Sequence, residues 1–71
     1  MDLVAILGRN VRDYRQQRGL TQEQLALEAD MKRSYVSDIE RGTRNPSVRA
    51  VGRLADVLEV SPSALLSASP E

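Results

Sequence analysis

The chain contains no cysteine and no histidine. Without thiols there is no disulfide framework and no thiolate nucleophile, and a reducing compartment fits the composition. Without imidazole there is no zinc site built on histidine, no histidine-assisted nucleophile and no imidazole proton shuttle. A glycine-rich phosphate loop and a carboxylate cluster at a defined spacing are missing too, so neither an enzyme, a cofactor nor a metal is expected. Aromatics are scarce: Tyr14 and Tyr35 are the whole supply, which leaves Leu, Val, Ile and Ala to fill a core. No apolar run approaches the ~20 residues of a membrane span. The opening Met1-Asp2-Leu3-Val4-Ala5-Ile6-Leu7 puts an acid where a signal peptide is cationic, and its apolar run is too short. A soluble, cytoplasmic protein is expected.

Seventy-one residues, 41% of them apolar, make one domain and not two. Such a domain buries about 60% of the surface its unfolded chain exposes, so its core is marginal. Net charge is zero, which at first argues against nucleic acid. The distribution argues otherwise. Residues 1–30 hold four arginines against five acids, residues 31–53 six Lys and Arg against two acids (a local +4), and residues 54–71 three acids and no base. A basic zone between neutral and acidic ends is the footprint of an anionic partner.

The apolar spacing is helical throughout, and the fold class is all-α. Val4, Leu7, Val11 and Tyr14 recur at three- and four-residue steps, which predicts a helix over 3–17, stopped by a left-handed Gly19. Thr21-Gln22-Glu23-Gln24 reads as a capping box opening a second helix that turns Leu25, Ala26 and Ala29 inward. Asp30 interrupts, as a residue that tolerates the left-handed conformation. A third helix runs from about Arg33 to Arg41 on Tyr35, Val36 and Ile39, and Gly42 ends it. After the loop Gly42-Thr43-Arg44-Asn45-Pro46, Ser47 caps a fourth helix with the inner stripe Val48, Val51, Leu54, Ala55 and Leu58. Ser61-Pro62 starts a short last helix over about 61–67, followed by a frayed tail at 68–71.

Helices two and three, about 21–41, form either an ordinary αα-hairpin or a DNA-binding helix-turn-helix. If Tyr35, Val36 and Ile39 face inward, Arg33, Ser34, Ser37 and Asp38 face out. These are short or forked donors and acceptors rather than the Glu–Lys pairs of a merely solvated face. Arg bonds guanine bidentately and Ser bonds several base edges.

The stretch resembles the phage-repressor and Cro family of helix-turn-helix regulators. The matching pieces are Arg18-Gly19-Leu20-Thr21-Gln22 with Leu25-Ala26, Ser34-Tyr35-Val36-Ser37, Ile39-Glu40-Arg41-Gly42, and Arg44-Asn45-Pro46. They extend over roughly residues 6–66. The resemblance implies a compact five-helix, lambda-repressor-like domain that binds double-stranded operator DNA as a symmetric homodimer in a bacterial or phage-encoded setting. It implies base reading by Arg33, Ser34, Ser37 and Asp38 on the third helix. It implies phosphate contacts from Gln22, Arg41, Arg44 and Asn45; Lys32 meets either phosphate or base. It also implies a structural ion pair between Arg15 and Glu40. Two positions depart from the family pattern: Asp30 stands where glycine is common, and Asp38 puts an acid on a DNA-facing surface. Asp38 has three open roles: reading a cytosine amino group, holding Arg33 or Arg41, or repelling wrong sequences.

A dimer surface is expected at the acidic C-terminal end, where Val60, Leu65 and Leu66 exceed the needs of a small core, unless packing takes them up. No ligand-sensing domain is expected, so regulation would follow protein concentration, with no small-molecule ligand. Among stand-alone members of the family, the chain looks most like the controller proteins of restriction–modification systems, which regulate their own promoter and the endonuclease gene. Activation would need RNA polymerase, with Glu23 and Glu28 on the second helix as the acidic contacts. The competing class is an antitoxin-type protein-interaction module on the same fold.

Overall fold

The computed structural model describes residues 1–68; residues 69–71 of the expected tail lie outside the described residues. Five helices follow in order among the described residues: α1 (Leu3–Gln17), α2 (Gln22–Glu28), α3 (Arg33–Arg41), α4 (Val48–Leu58) and α5 (Pro62–Leu65). Local chemistry sets the starts. Asp2 accepts hydrogen bonds from the Val4 and Ala5 amides at 3.1 and 3.3 Å. The Thr21–Gln24 capping box is closed both ways, at 3.0 and 2.8 Å. Ser47 and Ser61 accept from the amides of Ala50 and Ala64.

Four helix ends share one device. Gly19, Asp30, Gly42 and Glu59 are left-handed, with φ of 69°, 57°, 75° and 60°. Each lets the next residue's amide reach back to the last turn: Leu20 to Arg15 O, Met31 to Ala26 O, Thr43 to Asp38 O and Val60 to Ala55 O, all at 2.9–3.1 Å. Leu20, Met31 and Val60 then pack on the core, so the turn chemistry also seals the helix ends. Asp30 and Glu59 hold a conformation that glycine adopts more cheaply.

α3 lies against both α1 and α2, and α5 docks on α1 and α4. The centre is filled by Leu25, Ile39, Leu54, Leu65, Val11 and Val36, all essentially without solvent access. Three expectations change. Val48 is 89% exposed, and Ala50 takes the inward place at the start of α4. Leu65 is 0% exposed, so it belongs to the core and offers no surface to a second copy; Leu66 beside it is exposed. The last helix is shorter than expected, ending at Leu65. Its end is tied down by Asn10, whose Nδ2 donates to the carbonyls of Leu65 at 2.8 Å and Ser67 at 2.9 Å.

Candidate nucleic-acid interface

α3 sits on the outside of the molecule because Val36 and Ile39 anchor one face of it. The opposite edge is left to solvent. Arg33 and Ser34, in its first turn, are exposed, and their side chains have no partner among the described residues. Lys32 precedes them at the helix start, exposed, and its side chain makes no capping bond.

The other two expected readers are engaged. Ser37 Oγ accepts from Arg41 Nη1 at 2.8 Å. The Asp38 carboxylate pairs with Arg41 through one oxygen and lies 3.5 Å from Arg44 Nη2 through the other. Of the roles open to Asp38, holding Arg41 is the one realised here; Arg33 is not part of the cluster. The Arg44 guanidinium also lies over the Tyr35 ring, 5.0 Å from its centroid, a cation–π distance. Tyr35 is thus half core residue and half shelf for an arginine, a role its position in the apolar stripe did not disclose. Asn45 is exposed in the loop after α3.

The frame behind this edge is ionic. Arg15 on α1 grips Glu40 near the end of α3 with two bonds, Nε to Oε2 at 2.7 Å and Nη2 to Oε1 at 3.0 Å. Its third nitrogen donates to the Leu20 carbonyl at 2.9 Å. The two side chains are only 12% and 4% exposed, so the pair is close to fully desolvated. Hydrogen bonding to Glu40 holds the Arg15 guanidinium above its ordinary pKa, against the opposing effect of burial. Gln22, expected to meet phosphate, donates its Nε2 to Glu40 Oε1 at 3.0 Å. One hydrogen on that nitrogen remains for an outside acceptor. The start of α2, the end of α3 and the last turn of α1 therefore meet at one carboxylate.

Among the described residues no group of three or more acidic, cysteine or histidine side chains could hold a metal ion. No helix among them is long and apolar enough to cross a membrane. Away from the α3 edge, an open apolar groove lies between the starts of α1 and α4, lined by Leu3, Val4, Pro46, Val48, Val51 and Leu66. Val60, placed with the dimer contacts on sequence grounds, is half-buried against the core.

Known proteins share this architecture. A family model described as helix-turn-helix matches residues 11–65. The control protein C.BamHI of Bacillus amyloliquefaciens is 44% identical over 62 residues, spanning 86% of this chain and 76% of that protein. The crystal structure of the restriction–modification controller protein C.AhdI from Aeromonas hydrophila superposes with a TM-score of 0.84 at 39% identity, covering 87% of this chain and 94% of that one. SinR, a master regulator for biofilm formation solved in complex with DNA, superposes with a TM-score of 0.83 at 35% identity over 86% of this chain and 98% of that one. With five helices among its described residues, an exposed α3 edge and matches of this extent, the chain belongs to the helix-turn-helix family of DNA-binding transcriptional regulators.

Proposed function

We propose that the protein binds a pseudo-palindromic operator as a homodimer and regulates its own gene, as the controller of a restriction–modification system. The observation that carries the reading is the outer edge of α3. Arg33 and Ser34 stand there without partners, flanked by Arg41 and Arg44. Arg33, Ser34 and Ser37 would read base edges in the major groove, while Gln22, Lys32, Arg41, Arg44 and Asn45 would set register on the phosphates. The restriction–modification context is supported by the likeness to C.BamHI and C.AhdI. The DNA partner is supported by the likeness to SinR.

The dimer contact belongs on the apolar groove rather than on Leu65. Leu3, Val48 and Leu66 are exposed there, and none of the residues lining it is charged, in a chain where 28% of residues are. Asn45 borders both this groove and the α3 edge. A two-fold axis through the groove would turn both recognition helices to the same side, and their spacing on B-DNA would be about 34 Å, one helical turn. Occupancy would then rise with protein concentration. Activation would add a contact to RNA polymerase from Glu23 and Glu28, both exposed on α2.

Selection of binding sites from a random duplex pool by the purified protein tests the reading. The expected result is a two-fold symmetric site that recurs upstream of the protein's own gene. Failure to enrich any sequence would overturn it.

A further inference from the structure

The Asp38 carboxylate is the acid on an edge otherwise built from Lys32, Arg33, Arg41 and Arg44. It spans two of those cations: one oxygen meets Arg41 and the other lies 3.5 Å from Arg44. It is 27% exposed, and nothing in the core requires its charge. Around it, Arg41 is held additionally by Ser37, and Arg44 rests on Tyr35. A carboxylate between two guanidinium groups occupies the place where those groups would receive a phosphate, because both anions present oxygens that match the guanidinium fork.

Resting on the DNA-binding reading above, we infer that Asp38 is a built-in phosphate substitute that suppresses binding to non-operator DNA. Any duplex that engages Arg41 and Arg44 through its backbone must displace the carboxylate and leave it beside a polyanion. On a random sequence that displacement is uncompensated. On the operator, the released carboxylate can accept from a cytosine amino group in the major groove, and Ser37 is freed to bond a base edge. The cluster would thus lower the general electrostatic affinity more than the specific affinity, which raises the ratio between the two.

The test compares the wild-type chain with Asp38→Asn on the selected operator and on a random duplex of equal length, across a salt series. The variant should bind random DNA about three- to tenfold more tightly. Its dependence of log K on log salt should steepen by about one. The operator-to-random ratio should fall. A thermal melt of both proteins checks that the fold is intact. Asp38→Asn is repeated where Arg41 and Arg44 are both glutamine, and there its effect on random DNA should shrink to less than half, the remainder being bare repulsion of the carboxylate by the phosphates. An unchanged ratio in the single variant overturns the inference and leaves the DNA-binding reading standing. So does an effect that persists at full size without the two arginines, because it would then be general charge. If the wild-type chain selects no DNA at all, both fall.

Discussion

A methyl group on Gly8 of α1 would lie 2.3 Å from the carbonyl oxygen of Ile39 on α3. No real contact of that kind is so short, and the obstacle is backbone, which cannot swing aside. The two helices approach this closely because residue 8 has no side chain. Gly8→Ala should therefore destabilise the domain. Alanine's better helix propensity contributes about 1 kcal/mol the other way, while forced separation of packed helices costs about 1–3 kcal/mol or more. A denaturant melt that showed stabilisation would mean that α1 and α3 can part freely.

The Arg15–Glu40 pair invites a double-mutant cycle. Either Arg15→Met or Glu40→Gln alone strands a nearly dry partner and should cost about 3–5 kcal/mol. The double variant should cost less than the sum of the two, because no lone charge is left behind. Additive losses in urea melts would show that the two side chains act independently despite their 2.7 Å contact.

Asn10 closes α5 from a distance, through carbonyls more than fifty residues along the chain. Asn10→Leu should lower stability by about 0.5–1.5 kcal/mol, since half-exposed carbonyls at the end of α5 lose a donor that water replaces only in part. It should also speed amide hydrogen exchange in residues 62–66 ahead of the rest. Uniform exchange across all helices would count against a local role.

On DNA, the two arginines at either side of the reading edge should behave differently. Arg33→Ala should cost about 1–3 kcal/mol on the operator and relax one base position. Arg44→Ala should weaken binding to all sequences alike and flatten the salt dependence by about one. Equal loss of specific and random binding from both changes would mean the assignments are mixed.

For the dimer, Leu66→Glu and Val48→Glu each place a charge on the uncharged groove without touching the core. Each should shift sedimentation towards monomer and weaken operator binding, while the melting temperature at low concentration moves little. A dimer that survives both changes would put the contact elsewhere.

Much of this molecule could be read from short stretches of chain. The Thr21–Gln24 box, Ser47, Ser61-Pro62 and the left-handed Gly19, Asp30 and Gly42 act within a few residues, so sequence spacing suffices to place them. The Arg15–Glu40 pair is legible only through family likeness, since twenty-five residues separate the two and each alone resembles a solvated charge. The stripe on α4 failed at its first turn. Val48 and Ala50 both fit a helical period with Leu54, Ala55 and Leu58, and the docking of α4 on its neighbours, which no local pattern encodes, turns Ala50 inward and leaves Val48 in solvent. Leu65 goes to the core and Leu66 to solvent for the same reason: counting apolar residues does not say which of two adjacent leucines turns inward. Asn10 carries no local signal of its distant carbonyls, whereas Gly8 does carry one: a glycine inside a helix is costly enough to mark a close neighbour. The arginine over Tyr35 and the two around Asp38 depend on how the loop after α3 folds back.

Arg33 and Ser34 are attached to the rest of the fold only through the backbone of α3. Neither side chain takes part in its packing, so a change at either costs the fold little beyond helix propensity. On the proposed reading, in which these two side chains meet base edges, a lineage carrying this domain is free to drift at both sites together with its target sequence, acquiring a new genomic address while the helices beneath stay as they are.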